Sequence, residues 1–348
     1  MADNRNLPLE TFYAARMRRL RSSSYWRRFF CTCVFAFLTS FLASATHAEK
    51  LTVPPEAPEI LNKIFSFDIA GGVAAAQRLQ EKEPSQPLGY LLEAEALWWR
   101  MWCTSAEFKY GMTYTWRRSK IPADERYLAL AAKASALAQA RLKESADPSQ
   151  AAQMQFYAGL ADAFAARLYG WRGEARATAR SGVRGREHFL RAQQLDGDLT
   201  DAEFGLGLYN YYADTLSGLA KFLSFFMGIP GGNKQEGIRQ LNDDIARGVL
   251  TPDAARFYLA VSLHRFDQQY AEALRIITPL ADKYPSNPLF QLVRGDLNAK
   301  LGRKQEALAC YRAAASVPVD DPECRGHLQQ LVRASLASQN LPGSPENP

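Results

Sequence analysis

The histidines of this sequence are the first candidates for metal binding or acid–base chemistry. Beyond His47 near the N-terminus, the chain contains only His188, His264 and His327. No two of them are four residues apart, and neither H-E-x-x-H nor C-x-x-C occurs, so the spacings that bring zinc ligands together are missing. We therefore expect no metal site. We interpret His264 as a packed or groove-lining side chain, with contact to a ligand as the alternative.

Residues 228–235 are the stretch most similar to a nucleotide-binding loop, because they are rich in glycine and contain a lysine. A phosphate loop follows a strand and has Gly before the lysine and Ser or Thr after it. This chain has Asn233 and Gln235 there, and no strand is predicted before them. The segment is therefore predicted to be a turn between helices. The pair Asp243–Asp244 is expected on a solvated helix surface, and no nucleophile motif occurs. The sequence predicts no catalytic function and no cofactor.

The cysteines do not form a disulfide framework. Cys31 and Cys33 lie near the N-terminus, and only Cys103, Cys310 and Cys324 follow. An odd number of scattered thiols cannot pair completely. Cys310 and Cys324 fall in neighbouring predicted helices and could meet, but we favour buried free thiols.

Aromatic residues and arginines are concentrated in one window, which holds four of the five tryptophans after residue 48. Its members are Trp98, Trp99, Trp102, Tyr110, Tyr114, Trp116, Arg117 and Arg118. Tryptophan can anchor a peptide or stack on a sugar, so partner binding is one hypothesis. The favoured interpretation is that these rings join the N-terminal helices in a core, because aromatic side chains usually supply buried area.

Four arginines follow one another at intervals of four residues: Arg172, Arg176, Arg180 and Arg184. On one continuous helix each step rotates by about 40°, so the four side chains would share a broad face. Their guanidinium groups would repel one another unless an anion or an acidic partner lay nearby. Two interpretations therefore stand side by side: a site for an acidic partner, and a solvated outer face moderated by nearby glutamates.

The net charge of +6 has a local origin. Residues 1–48 contain seven arginines and two acidic residues, so they carry nearly all of the excess and the rest of the chain is close to neutral. A near-neutral body removes the main support for nucleic-acid binding.

Residues 1–48, which we call the leader, are typical of a secretory signal. Cationic residues extend up to Arg28, an uncharged run covers 29–45, and small residues at Ala43-Ser44-Ala45 or Ala48 offer a cleavage site.

This leader predicts export to the periplasm of a Gram-negative bacterium, or secretion. Met17 is an alternative start to Met1, because a start there leaves a cationic segment of ordinary length. The uncharged run is about as long as the shortest transmembrane helix, so an uncleaved inner-membrane anchor is the alternative to cleavage.

The predicted helices that would carry these residues repeat with a period of 34 residues, which is the spacing between Ala273 and Ala307. Residues 254–287 and 288–321 form two units, in which apolar and small side chains recur on one face of each predicted helix. Gly295 takes the position where paired helices touch. This pattern resembles the tetratricopeptide repeat family. The resemblance implies an all-α, right-handed solenoid of antiparallel helix pairs with a concave groove, which His264 would face.

The pattern continues toward the N-terminus with an insertion. Gly207 and Gly237 take the two helix-contact positions but stand much farther apart than in a regular unit, which predicts an apolar helical insert over 213–231. Its apolar side chains include Leu219, Phe222, Phe225 and Phe226. If the insert is exposed, it could bind an apolar ligand or a membrane surface, whereas a packed insert would belong to the core.

A second resemblance involves the glycines and the lysine of this block: Gly205, Gly207, Gly231, Gly232, Lys234 and Gly237. They are similar to a pattern in exported bacterial tetratricopeptide proteins and in distant relatives at the mitochondrial outer membrane. The functions of that group are largely undefined, so the likeness supports the fold more than any function.

The predicted organisation has five segments. They are a signal peptide (1–48), degenerate helical repeats (49–147), irregular repeats with the insert (148–250), two regular units with a capping helix (251–338) and a disordered tail (339–348). Helices are expected over 88–103, 124–143 and 172–195, and another that follows Asp147-Pro148 and extends to 169, and no sheet is expected. The leading hypothesis is a non-catalytic scaffold that binds a protein or peptide partner, an acidic one included. The alternative is a carrier of an apolar ligand, or a peripheral membrane protein, that uses residues 216–229.

Overall fold

Thirteen helices and one short hairpin make up the part of the chain that the structure describes. The computed structural model describes residues 51–109, 111–115, 119–216, 221 and 228–339, all within the unit Glu49–Pro348. The elements are α1 (Glu56–Phe65), α2 (Ile69–Lys82), α3 (Leu88–Ser105), β1 (Ala106–Lys109), β2 (Met112–Thr115), α4 (Pro122–Glu144), α5 (Pro148–Arg172), α6 (Ala175–Leu195), α7 (Ala202–Thr215), α8 (Lys234–Arg247), α9 (Pro252–Phe266), α10 (Tyr270–Lys283), α11 (Pro288–Lys300), α12 (Lys304–Ser316) and α13 (Pro322–Ser338).

Local sequence explains where several helices begin and end. Asn287 caps α11 by accepting hydrogen bonds from the backbone N–H groups of Leu289 and Phe290 at 3.0 and 3.2 Å. Proline follows this cap at the first helical position, where its missing N–H costs nothing. Gly173 ends α5 with a φ of +76°, a left-handed conformation that glycine adopts readily.

Successive helices pack against one another along the whole array, from α1 with α2 to α12 with α13. The pairs α9–α10 and α11–α12 correspond to the two regular units, and Ala273 and Ala307 are fully buried in them. The prediction of an all-α solenoid of antiparallel helix pairs of the tetratricopeptide type is therefore confirmed.

Two predicted close contacts between paired helices are also confirmed. A Cβ atom on Gly237 would lie 2.7 Å from the carbonyl oxygen of Gly207, and one on Gly295 would lie 2.5 Å from the ring of Tyr311. Both distances are far below normal carbon contacts, so only glycine allows these helices to approach so closely.

The array closes on itself through α3. The sequence predicts this helix but not the closure. This helix packs against α13 as well as against its neighbours in sequence, and its Trp99 ring contacts Phe257 of α9 and Phe290 of α11. Fifteen of its eighteen residues are buried, which is typical of a helix inside a core. The inner face formed by the first helices of the two regular units is thus covered by the chain itself.

A disulfide joins Cys103 of α3 to Cys324 of α13, across 221 residues of sequence. The expectation of three free thiols, with Cys310 and Cys324 as the alternative pair, is wrong. Cys310 is the buried free cysteine of the described chain. Sequence spacing could not identify the partner, because closure of the array brings the two helices together.

The expectation of no sheet is also wrong. Strands β1 and β2 pair antiparallel, from Ala106 opposite Thr115 to Lys109 opposite Met112. Each strand has only four residues, which is too short for a period of two to stand out in the sequence. The hairpin docks on α11, where the Thr113 N–H donates to Asp296 at 2.6 Å.

Candidate functional site

The tryptophans proposed for partner binding lie in the core. Trp98, Trp99 and Trp102 have at most 4% of their surface exposed. The Trp99 ring meets those of Phe257 and Phe290 at centroid distances of 4.8 and 5.3 Å in edge-to-face geometry. These positions match the favoured core interpretation and leave none of these three rings open to a partner. Trp116 and Arg117 lie outside the described residues.

A polar cluster around Arg167 lies beside these rings, and no sequence pattern predicts it. Arg167 of α5 donates to Glu95 at 2.8 Å, and to the hydroxyl oxygens of Tyr258 and Tyr127, each at 2.7 Å. Its guanidinium also lies 4.1 Å from the centre of the Trp98 ring. Burial raises the pKa of both tyrosines. Because all three guanidinium nitrogens of Arg167 donate to partners on other helices, the cluster acts as a structural link among four helices.

The four-arginine stripe is divided between two helices. α5 ends at Arg172, and α6 begins only at Ala175, so the continuous helix predicted over 172–195 is wrong at its first turn. Arg172 is buried, and its Nε donates to Asp124 at 2.6 Å. It therefore stabilises the α4–α5 contact and is not available to a partner.

The remaining three arginines lie on the exposed side of α6. Arg184 is partly held by Asp162, with Nε 3.0 Å from the carboxylate oxygen. Arg176 and Arg180 are exposed, and the described residues provide neither with an ion pair. Two further residues continue the same side of the helix, the exposed Glu187 and Arg191. Arg191 departs from the four-residue interval that defined the stripe, which is why the sequence analysis missed it.

His264 is buried, with 3% of its surface exposed. Its ring lies edge-on to Tyr270 at 5.7 Å, and burial lowers its pKa to about 3. The side chain is therefore neutral at physiological pH and packed between α9 and α10, as the favoured interpretation of a packed histidine proposes.

Asp244 corrects another expectation, because it is fully buried rather than on a solvated surface. The hydroxyl of Thr251 lies 2.8 Å from Asp244 and 3.1 Å from Asp201. Burial, and then the charge of Asp201, raise the pKa of Asp244 well above its usual value. The Thr251 hydroxyl is the donor that lies within reach of both carboxyl groups. The group thus ties α7, α8 and α9 together.

An open groove of about 690 Å³ lies between α10, α11 and α12. Leu274 and Pro279 form part of its wall, beside Arg294 and Cys310. Arg294 is paired with Asp282 at 2.7 Å. None of the partner-binding residues proposed from the sequence lines this groove.

The apolar residues chosen in the insert (Leu219, Phe222, Phe225 and Phe226) lie outside the described residues. At the C-terminal ends of α7 and α9, three aromatic or aliphatic side chains are exposed, namely Tyr212 at 37%, Leu216 at 43% and Phe266 at 44%. The rings of Tyr212 and Phe266 are in contact, with centroids 5.9 Å apart. This small apolar patch joins the end of α7 to the end of α9.

Two kinds of site are absent from the described ranges. No helix within them has the length and apolar character needed to cross a bilayer. No group of three or more His, Cys, Asp or Glu side chains there is arranged to hold a metal ion.

Neither a protein-family model nor a curated protein matches the sequence. Two solved structures are similar to this chain over 82% of its length. The crystal structure of yeast Tom70 is 10% identical, with 88% of that chain covered and a TM-score of 0.27. The structure of the P58(IPK) TPR domain is 14% identical, with 99% covered and a TM-score of 0.17. Scores this low carry no weight, so the fold assignment rests on the helix pairs described above.

Proposed function

We propose that this protein is a non-catalytic scaffold of the Gram-negative cell envelope that binds a protein or peptide partner. The observation that carries the proposal is the closed array. Its inner face is covered by α3, and the disulfide fixes α3 to the last helix. A rigid frame of this kind presents the outer faces of its helices, and those faces are where a partner would bind.

The proposed location rests on the leader and the disulfide together. Disulfides persist in oxidising compartments such as the periplasm and are rare in the cytosol. A bond between Cys103 and Cys324 therefore fits a chain that is exported before it folds. The cationic and apolar leader over residues 1–48 is the export signal in this proposal.

Export is tested by fractionating the bacterium and identifying the N-terminus of the protein by mass spectrometry. We expect a periplasmic protein that begins at Thr46 or Glu49. A cytosolic protein with reduced cysteines and an intact Met1 or Met17 would refute the location. An intact N-terminus on membrane-bound protein would instead establish an anchor.

The scaffold role is tested by photo-crosslinking in intact cells. A photoreactive residue is placed at Glu187 on the outer face of α6, and at the buried position Ala134 as the control. We expect a discrete adduct only from the exposed position, and direct binding when the cross-linked protein is purified and mixed with the chain. Absence of adducts from Glu187 and from a series of other outer positions would contradict the scaffold role.

One observation favours the alternative of a peripheral membrane protein or carrier of an apolar ligand. Tyr212, Leu216 and Phe266 are exposed, and exposed apolar clusters often mark binding surfaces. Sedimentation with phosphatidylethanolamine–phosphatidylglycerol vesicles tests it. On this alternative, wild type sediments with the vesicles and Leu216→Asp/Phe266→Asp does not. If neither protein sediments, the membrane form of the alternative fails.

A further inference from the structure

We infer that the outer face of α6 binds an acidic segment of a partner protein, an inference that rests on the proposed scaffold function and specifies its binding surface. We call this surface the arginine face. Its members are Arg176, Arg180, Arg184, Glu187 and Arg191. The face differs from the stripe seen in the sequence, because it excludes the buried Arg172 and includes Arg191.

The helical geometry places these five side chains together. Successive members are four, four, three and four residues apart, which keeps them within an arc of about 80° over a length of about 22 Å. The buried residues of α6, such as Gly185 and Phe189, lie on the other side of the helix. All five members of the face are exposed.

The charges on this face are only partly satisfied within the chain. Arg184 is held by Asp162, and Arg191 donates to the amide oxygen of Gln194 at 3.1 Å. Arg176 and Arg180 lie one turn apart, and the described residues offer neither an ion pair. Like charges at this spacing destabilise a helix, and a carboxylate bound between the two would remove that repulsion.

Neighbouring arginines of α5 and α6 already bind carboxylates within the chain. Arg172 and Arg184 each direct two guanidinium nitrogens toward a single aspartate side chain of α4 or α5. The planar fork of arginine matches a carboxylate in this way. Arg176 and Arg180 present the same group to solvent, so an aspartate or glutamate from a partner can repeat the interaction.

Other polyanions fit the face less well. Glu187 lies among the arginines and would repel a uniformly negative surface such as duplex DNA or an anionic bilayer. A protein segment can place a lysine or arginine opposite it. The large exposed hydrophobic residues of the described chain are Tyr212, Leu216, Val249 and Phe266, none of them on α6. The arginine face therefore lacks the apolar side chains that insert into a membrane interface.

The test uses fluorescence anisotropy with the purified full chain and a labelled alanine-rich helical peptide that carries one glutamate per turn. We expect Arg176→Glu/Arg180→Glu to weaken binding by at least about tenfold, because two charge-assisted contacts are lost. Arg176→Lys/Arg180→Lys should weaken binding less, since lysine retains the charge without the fork. Binding by the wild type should also fall as salt is raised.

The matched control is Arg312→Glu/Arg333→Glu. It changes two exposed arginines on α12 and α13 and alters the net charge by the same amount. An equal loss of binding in this control would overturn the inference, because net charge alone would then explain the effect. Unchanged affinity in Arg176→Glu/Arg180→Glu, with a native circular dichroism spectrum, would also overturn it.

Two further outcomes separate the possibilities. If the α6 variant loses binding to phosphatidylglycerol vesicles or duplex DNA but retains the peptide, the assigned partner class is wrong. If the photo-crosslinked partner binds at another outer surface, the arginine face fails while the scaffold function stands. The neutral variant Arg176→Gln/Arg180→Gln serves as a second test should charge reversal prevent folding.

Discussion

Removal of the disulfide between α3 and α13 tests the closed array most directly. We consider Cys103→Ala/Cys324→Ala, because both side chains are buried and serine would leave two hydroxyl groups without partners. The cross-link spans 221 residues. In the chain-entropy model a loop of that length stabilises the folded state by about 5 kcal/mol, and measured values for native disulfides are about 2–5 kcal/mol.

The variant should nevertheless fold. The contacts of Trp99 with Phe257 and Phe290 do not depend on the cross-link, and domains of this kind are stable by about 5–15 kcal/mol. A loss of about 3–5 kcal/mol in a domain of this size lowers the melting temperature by about 5–10 °C. The far-ultraviolet circular dichroism at room temperature should therefore match that of wild type.

Thermal melts with and without dithiothreitol measure this effect. Wild type should lose stability on reduction, whereas the double variant should not respond. Cys310→Ala is the control, because it removes the buried free thiol and leaves the cross-link intact. Alkylation of the denatured, unreduced protein should modify Cys310 and spare Cys103 and Cys324. Equal melting temperatures for variant and wild type, or a peptide linking Cys310 to Cys324, would falsify the closure described above.

Three further changes have defined outcomes. Gly237→Ala should destabilise the protein by about 1–3 kcal/mol in urea unfolding, because its Cβ would lie 2.7 Å from the backbone of Gly207; a neutral result would contradict the close helix contact. Trp99→Ala should cost about 3–5 kcal/mol by the same measurement, and a loss below about 1 kcal/mol would place this ring outside the core. Burial raises the pKa of Asp296 from 3.8 to about 7, so the folded state holds this proton more tightly than the unfolded chain. The stabilisation that the protonated Asp296 side chain gives the folded state is fully present below about pH 4, and it is lost as the pH rises to about 7. Asp296→Asn should reduce that fall in the unfolding free energy, and an unchanged pH profile would refute the assignment.

Much of the fold could be predicted because its causes are local. The helix expected over 124–143 is observed as Pro122–Glu144, and the one expected to follow Asp147-Pro148 and extend to 169 is Pro148–Arg172. Proline, capping residues and apolar periodicity act within a few turns, so they can be recognised from neighbouring residues. Gly207 and Gly237 were identified in the same way, from their places in a repeat.

Several of the failures have a different cause, which is distance along the chain. The pairing of Cys103 with Cys324, and the contact of Trp99 with Phe290, depend on how the whole array curves. No local pattern encodes that curvature. Asp244 was misplaced for the same reason, since Asp201 and the chain around Thr251 bury it.

The prediction of a four-arginine stripe failed at a single residue. Gly173 ends α5 with its positive φ, so the interval of four between Arg172 and Arg176 spans two helices and does not define a shared face. Side chains on one helix face are separated by three or four residues. From Arg176 onward, these intervals include Glu187 and Arg191 in the face. A glycine inside a predicted helix was the available indication of this break.

Closure of the array also determines where a partner can bind. A peptide that used the inner face would have to displace α3. Removing even one of its buried tryptophans costs about 3–5 kcal/mol, and α3 contributes Trp98, Trp99 and Trp102 to the core. Binding at micromolar affinity supplies only about 8 kcal/mol in total. Displacement of the whole helix would also break the link between α3 and α13. The covered inner face is therefore closed to ordinary peptide ligands, and an outer surface such as the arginine face of α6 is where binding can occur without unfolding the core.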